Sequence, residues 1–387
     1  MSVTNALFFL FYRFVFWPLA ILFVLIAKRW NPKLQKLYEQ RKAKHSPPLF
    51  EKPPIWIHAS SGEFEYARPV IRKIKEHDPS QPVVVTYFSP SYAAAIGKET
   101  GVDWSSPLPL DLPGPVHSFL ERLRPRALLI ARTDVWPELI AQVQERKFPS
   151  LLFSATMSSH SGSFSIFANI FRRWLYAKVS QVFAVSSLDE KGLRSLELKN
   201  VSVAGDTRFD QVLYRLEHRK PIKDFSRDER LIFIAGSTWP EDENILLPAV
   251  ENFLRSNKLR FIIAPHELNH VDQLVKHFTQ MNVDFSLYSQ IADWRSSVLI
   301  VDQVGILAEM YMRADFAFVG GSFRKKVHSV MEPLAAGLIT VVGPHHLNNR
   351  EAIEFQTVTT EIGPAVIVAK NQDQLVTTIS SILDQKN

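Results

Sequence analysis

Four polar clusters in this chain stand directly behind short apolar runs: His58-Ala-Ser-Ser-Gly-Glu63, Ser237-Thr-Trp-Pro-Glu-Asp-Glu243, Pro265-His-Glu267, and Gly320-Gly-Ser-Phe with the following His328-Ser-Val-Met-Glu332. Glu63 admits two readings. It is a carboxylate able to deprotonate an attacking hydroxyl, or it is the third residue of a Ser60-x-x-Glu capping box that only ties up amide protons at a helix start. Gly320 and Gly321 precede a basic stretch, Arg324-Lys-Lys326, and a helix expected to begin near His328. Backbone amides that approach a ligand closely, next to a helix N-terminus, suit a phosphate; a tight turn with a solvated basic loop is the other reading. Glu332, one turn into that helix, can receive ribose hydroxyls or complement the helix dipole. His266 is a phosphate donor or a loop histidine. The adjacent His345 and His346 point opposite ways on an extended segment and lack a carboxylate at helical ligand spacing, so no metal site is read from them.

The elements that must present these clusters are strands alternating with helices. Ile55–Ala59, Val83–Phe88, Ala127–Ala131, Leu151–Ser154, Gln181–Val185 and Val201–Ala204 form one series of expected strands. Leu231–Ala235, Phe261–Ala264, Val298–Val301, Phe316–Val319 and Ile339–Val342 form a second. Helical spacing falls between them at Arg68–Glu76, Val116–Leu123 and Trp136–Arg146. This alternation predicts an α/β fold of two doubly wound parallel sheets around a ligand cleft, with ligands at the carboxyl ends of the strands. The expected divisions are a membrane anchor at 1–29, a basic and Pro-rich linker at 30–54, and a first Rossmann-like domain at 55–215. An interdomain linker follows at 216–230, then a second Rossmann-like domain at 231–360 and a C-terminal segment, 361–387, returning to the first domain.

Composition narrows the chemistry. The 387 residues include no cysteine, which excludes disulfides, thiolate metal sites and a cysteine nucleophile. The net charge of +6 is not spread along the chain, because residues 1–50 alone carry eight Lys and Arg against Glu39. A nucleic-acid-binding surface is therefore not read from the charge. From Ala6 to Ala27 the chain is apolar apart from Arg13, and Lys28-Arg29 follow at once. That length is close to the ~20 residues of a spanning helix, and the trailing basic pair places the bulk of the chain on the cytoplasmic side. Arg13 and Pro18 leave a spanning and an interfacial helix both open.

Read in order, His58-Ala-Ser-Ser-Gly-Glu63, Trp136-Pro137, Gly205-Asp-Thr-Arg-Phe-Asp210, Ala235-Gly-Ser-Thr238, Asp302-Gln-Val-Gly305, Val319-Gly-Gly-Ser322, His328 with Glu332-Pro333, and Gly343-Pro344 resemble the Kdo transferases. Those membrane-associated enzymes move 3-deoxy-D-manno-octulosonic acid from CMP-Kdo to a lipid A precursor. The resemblance implies a GT-B fold, Glu63 as general base, no cofactor, CMP-Kdo, a lipid A precursor and membrane lipids as partners, and a site on the cytoplasmic face of the inner membrane of a Gram-negative bacterium. It places the donor on Arg208, His266, Val304, Gly305, Gly320, Gly321, Ser322, His328 and Glu332. Ser60, Ser61, Gly62, Arg132 and Asp134 are the acceptor-side candidates. The chain departs from the family pattern at Arg132-Thr133-Asp134, where Glu-Thr-Glu is common, at Pro265-His266-Glu267, at Ser329 and at Ile306. Another GT-B nucleotide-sugar enzyme, either a lipid-directed transferase or an epimerase, and an inactive membrane-tethered binding protein are the alternatives.

Overall fold

A computed structural model describes residues 8–42, 46–157, 166–219, 221–223 and 225–386. Ala6 and Leu7 of the apolar run, Lys44 of the basic stretch and His45 of the Pro-rich linker lie outside the described residues. The chain divides into two compact units, Met1–Gln211 and Val212–Asn387.

In the first unit seven strands, β1 (Ile55–His58), β2 (Val83–Tyr87), β3 (Trp104–Pro107), β4 (Ala127–Ala131), β5 (Ser150–Ala155), β6 (Gln181–Ala184) and β7 (Val201–Val203), form one parallel sheet. Its order is β3-β2-β1-β4-β5-β6-β7. The central strands β1, β2 and β4 are largely apolar because helices cover both faces. Ile57, Val83 and Val85 pack beneath Phe64, Ala67 and Ile71 of the helix Phe64–His77, while Trp56, Val84 and Leu128 face Phe119, Leu120 and Ile140 on the other side. The order reverses between β1 and β4, so the crevice for a ligand lies past their carboxyl ends. Those ends carry His58–Glu63 and Arg132–Asp134.

The second unit repeats the plan. Strands β8 (Leu231–Thr238), β9 (Leu259–Pro265), β10 (Phe285–Leu287), β11 (Val298–Ile300), β12 (Phe316–Val319) and β13 (Ile339–Val342) precede a small hairpin, β14 (Thr359–Thr360) and β15 (Gly363–Pro364), and then β16 (Val366–Val368). The parallel sheet runs β10-β11-β9-β8-β12-β13-β16. Its reversal, between β8 and β12, is where Ser237–Trp239 and Gly320–Ser322 emerge.

Two segments belong elsewhere than the sequence suggested. The stretch expected as an interdomain linker at 216–230 packs on the second unit through Lys223 and Phe225: Phe225 is buried edge-on against Trp294, and Lys223 Nζ donates to the carbonyls of Tyr288, Ser289 and Ile291. The C-terminal segment ends in the helix Gln372–Lys386, whose Leu375, Ile379, Ile382 and Leu383 lie in the second unit's core with Leu246 and Val250. Their i, i+4, i+7 spacing makes one apolar stripe that this core buries, so the helix is part of the second unit.

The N-terminal helix is one continuous rod, Phe8–Ala27, long and apolar enough to cross a membrane. Tyr12–Phe16 is a π-helical turn just ahead of Pro18. Proline offers no amide and crowds the carbonyl one turn back, and a wider turn relieves that crowding. The rod is pinned to the first unit along one side. Phe9, Tyr12 and Trp17 are buried, Tyr12 donates to Asp111 at 2.8 Å, and Arg13 forms a two-pronged ion pair with the buried Glu138 at 2.8 and 3.0 Å. Arg13, which interrupts the apolar run in the sequence, therefore has its counter-charge in the protein. The opposite side stays bare, with Phe14 at 72% and Phe23 at 63% exposed.

Candidate functional site

At the β1/β4 switch point a buried histidine organises the loop. His58 is fully buried; its Nδ1 faces Thr86 and its Nε2 lies 3.0 Å from Asp134 Oδ2. The Trp136 indole donates to the same carboxylate oxygen at 3.3 Å. Burial, the largest influence on Asp134, pushes its pKa up, but the hydrogen bond and charge of His58, with Ser60 and Trp136, outweigh it and hold the carboxyl below the ordinary range. Asp134 is therefore a committed, ionised carboxylate that fixes the loop.

Glu63 is placed differently. It does not form the Ser60 capping box, because it occupies the position just before the helix Phe64–His77 and turns back to take the amide and hydroxyl of Ser61 at 2.9 and 3.1 Å. Ser60 instead offers its carbonyl to the amides of Phe88 and Ser89. Two donors from one residue orient the Glu63 carboxylate and leave most of its acceptor capacity unspent. Beside Gly62 the nearest atom to an added Cβ is the Tyr92 hydroxyl oxygen at 3.8 Å, so internal packing does not demand a glycine there. The space it leaves suits the close approach of a ligand.

Two arginines bracket Tyr66, one helical turn past Glu63. Arg132 donates to the Tyr66 hydroxyl at 3.2 Å and to Thr156 at 2.9 Å, and Arg208 donates to the same hydroxyl at 3.3 Å. Arg132 holds φ +65° at the end of β4, and Ser154 holds φ +51° in a bulge of β5. Ser154 in turn accepts from the amide of Thr207, which positions Arg208. Strained backbone of this kind collects where side chains must be aimed. Arg208, expected on the donor, thus lies in the first unit beside the acceptor-side candidate Arg132.

At the β8/β12 switch point the backbone itself is the packed material. Gly320 allows the end of β12 to touch the bulge at Ser237, whose carbonyl oxygen lies 2.1 Å from where a Cβ would sit, and Gly321 holds φ +80°. Their amides are already engaged: Gly320 donates to the Gly236 carbonyl, and Gly321 donates to Asp242 at 2.6 Å. Asp242 is fully buried and also takes the amides of Phe323 and Trp239, both at 2.9 Å. Ser322 is fully buried, with its hydroxyl on the Val319 carbonyl. Two amides of the expected Gly320–Ser322 cradle, those of Gly320 and Gly321, are thus spent in closing a turn around Asp242, and side chains beside the turn offer further donors to an anion. The expected helix at His328 is also shorter, since it begins only at Met331 and ends at Ala335.

Those side chains form a stack. Trp239 lies 4.6 Å from His266, and His266 lies 4.4 Å from His328, ring centre to ring centre. The Arg324 guanidinium sits 3.8 Å over Trp239. The Trp239 indole nitrogen can only donate, so its 2.8 Å contact makes His328 Nε2 the acceptor and leaves the His328 proton on Nδ1. Burial, then the charges of His266, Lys326 and Arg324, lower the His328 pKa to about 4. His328 is therefore a neutral hydrogen-bond donor, not one of the cations. Glu332 is held by the Ser329 hydroxyl at 2.5 Å, which orients the carboxylate. Val304 is 78% exposed and Gly305 holds φ +83°, on a loop anchored by the amide of Ser289 donating to Asp302 at 2.8 Å.

Trp239, Arg324 and Tyr66 were not singled out from the sequence as site residues. The first two lie inside the clusters already recognised, and an aromatic directly behind a strand end was the available signal. Among the described residues no group of three His, Asp or Glu side chains could hold a metal.

Two Rossmann-like units, each with a polar cluster at its switch point, make up the GT-B fold. The fold alone is shared with UDP-GlcNAc 2-epimerase from Neisseria meningitidis, at TM-score 0.59 and 15% identity over 87% of this chain and 92% of that one. Residues 28–211 match the 3-Deoxy-D-manno-octulosonic-acid transferase (kdotransferase) family. Proteins of that name from Haemophilus influenzae (25% identical, 86% of this chain and 79% of that protein) and Aquifex aeolicus (27% identical, 86% of both) align along most of the sequence. The chain is a glycosyltransferase, and these matches support a Kdo transferase of lipopolysaccharide biosynthesis.

Proposed function

We propose that this enzyme transfers Kdo from CMP-Kdo to a sugar hydroxyl of a lipid A precursor, with inversion, and that Glu63 is its general base. The observation that carries this reading is the contrast at the first switch point: Asp134 is committed to His58 and Trp136, whereas Glu63 is steadied, among the described residues, by Ser61 alone. In the step, the acceptor oxygen bonds to the anomeric carbon of Kdo as its proton passes to a Glu63 oxygen. The bond from that carbon to the phosphate oxygen breaks, and CMP leaves with the electron pair. Charge developing on the phosphate is the transition-state feature the site must meet; His266, the Nδ1–H of His328 and Arg324 are the donors for it. Glu332, oriented by Ser329, takes the ribose hydroxyls, and the Val304–Gly305 loop backs the nucleotide. Arg208 is assigned to the donor's anionic part and Arg132 lies beside it within the first unit; Ser60, Ser61 and Gly62 are assigned to the acceptor side. The defining test incubates purified protein with CMP-Kdo and a tetraacylated lipid A precursor and reads product masses. A mass gain of one or more Kdo units supports the reading, and an unchanged acceptor overturns it.

Attachment to the cytoplasmic face of the inner membrane is part of the same proposal. Because Tyr12 and Arg13 are tied to Asp111 and Glu138, the rod Phe8–Ala27 lies on the first unit with its bare side outward. The supporting arrangement is interfacial insertion of Phe14, Leu19 and Phe23, with the basic helix Pro32–Lys42 on anionic headgroups. Replacing those three residues with serine should shift most of the protein from the vesicle pellet to the supernatant, whereas full retention would assign attachment to another surface.

A further inference from the structure

An apolar cavity of about 350 Å³ opens in the first unit between the helices Trp17–Ala27 and Pro32–Lys42 and the carboxyl end of the sheet. That volume lies within the ~300–1,000 Å³ typical of small-ligand sites. Ile21, Val24, Leu37, Phe88 and Trp136 are among its walls, and Phe88 and Trp136 stack at 5.1 Å to make one of them rigid. The cation in the lining is Arg41. Its guanidinium lies 4.4 Å from the Phe88 ring centre and its Nη2 donates to the Phe88 carbonyl at 3.0 Å. Its Nη1 is buried with no partner among the described residues. Burial lowers the Arg41 pKa to about 10, which leaves the group charged at neutral pH. A buried donor without an acceptor is costly, and an anion supplies both the acceptor and the counter-charge.

The cavity shares its walls with the catalytic loop. The Phe88 amide bonds the Ser60 carbonyl, and the Trp136 indole bonds Asp134. Its lining does not include Phe14 or Phe23, the bare residues available to any bilayer. We propose that this cavity receives one acyl chain of the lipid acceptor, with Arg41 on an anionic group at that chain's polar end, so that the sugar is presented to the loop carrying Glu63. This rests on the reading of a lipid A precursor as acceptor. It adds the place where the acceptor's lipid is recognised.

The test uses full-length protein in mixed micelles, CMP-Kdo, and two acceptors: the acylated precursor and the same sugar phosphate with its chains removed. Ala20→Trp fills the cavity from the rod, since Ala20 lines it, and Arg41→Gln removes the cation. The ratio of kcat/KM for the acylated over the deacylated acceptor should fall at least tenfold in Ala20→Trp and about threefold to tenfold in Arg41→Gln, chiefly through KM. An unchanged ratio in both variants, with transfer intact, overturns the cavity's role and leaves the reaction standing. Transfer to neither acceptor by the unaltered protein overturns the reading of the reaction and the proposal with it. A second measurement needs no variant: an acceptor bearing a diazirine at a chain terminus should label Ile21, Leu37 or Leu110. Label confined to Phe14, Leu19 and Phe23, or cavity labelling by a diazirine phospholipid that excess acceptor does not displace, overturns the proposal.

Discussion

At the end of β1 the Glu63 carboxylate takes two donors from one neighbouring residue, whereas past the end of β8 the Asp242 carboxylate takes three backbone amides from two separate segments. Both acids lie within a few residues of a parallel strand's carboxyl end. They differ in what remains to them: Asp242 is enclosed and saturated, and burial raises its pKa even against those three amides, while Glu63 keeps acceptor sites open at a loop that Gly62 leaves uncrowded. One acid is available for proton transfer and the other holds a fold. The same contrast separates Glu63 from Asp134 within the first unit, so sitting at a switch point does not by itself make a carboxylate catalytic.

Glu63→Gln breaks the comparison most severely. The amide oxygen still accepts from Ser61 but cannot take the acceptor's proton. The expected outcome is a fall in kcat of about 100-fold to 10,000-fold, with an unchanged melting temperature and CMP affinity. Turnover near that of the unaltered protein would return Glu63 to a purely structural role.

Asp242→Ala inverts the pattern, since it strands three amides and should cost stability first. Hydrogen bonds to an ionised group contribute ~1.5–3 kcal/mol apiece and do not sum simply, so a loss of about 3 kcal/mol or more is expected in urea unfolding. Asp242→Asn, which retains one acceptor, should recover part of it. CMP binding should weaken in step with the disordered turn, and a full-strength CMP isotherm with normal stability would show that the turn is not needed to shape the nucleotide site.

How far these assignments were visible beforehand depends on whether the determining contacts are local. β4, β12 and β13 were read with their boundaries intact, because a strand buried on both faces is written as an uninterrupted apolar run. β3, β10 and β16 were not read. Each is an edge of its sheet, short, and in the first two cases broken by serine, since an edge pairs on one side only and needs less apolar surface. Glu63 was legible as a candidate from its place behind a strand. That Gly321 spends its amide on Asp242, and that Arg13 finds Glu138, were not, because those partners are separated by 79 and 125 residues. Nothing in the local spacing of the Gly-Gly pair tells whether its amides face a ligand or a carboxylate of the same protein.

Glu332→Ala sharpens the second switch point. On the proposed ribose role, removing this carboxylate should weaken CMP binding at least about tenfold, or ~1.4 kcal/mol, and should raise the apparent donor KM more than it lowers kcat. Ser329→Ala, which frees the carboxylate without removing it, should have a smaller effect in the same direction. Unchanged affinity in Glu332→Ala would remove the ribose role.

The smallest expected effect separates the two units by pH. His328 in the second unit has a folded pKa of about 4, below its ordinary 6.5, so between those values the unfolded chain takes up a proton that the folded chain refuses. Its contribution is fully present above 6.5 and is lost as pH falls toward 4. Asp111 in the first unit behaves oppositely. Burial, only partly offset by the amides of Glu138 and Leu139 and by Tyr12, raises its pKa from 3.8 to about 6, so the folded chain keeps a proton that the unfolded chain releases. Its contribution is fully present below about 3.8 and is lost as pH rises through 6. Unfolding free energies of the unaltered protein, His328→Gln and Asp111→Asn between pH 7 and pH 5 resolve the two. Relative to His328→Gln, the unaltered protein should lose stability on acidification; relative to Asp111→Asn, it should gain. Each change should be about 1 kcal/mol, with the His328 value discounted for its partial exposure. The same sign of change against both variants would refute the assignment of the group whose sign departs from that expectation.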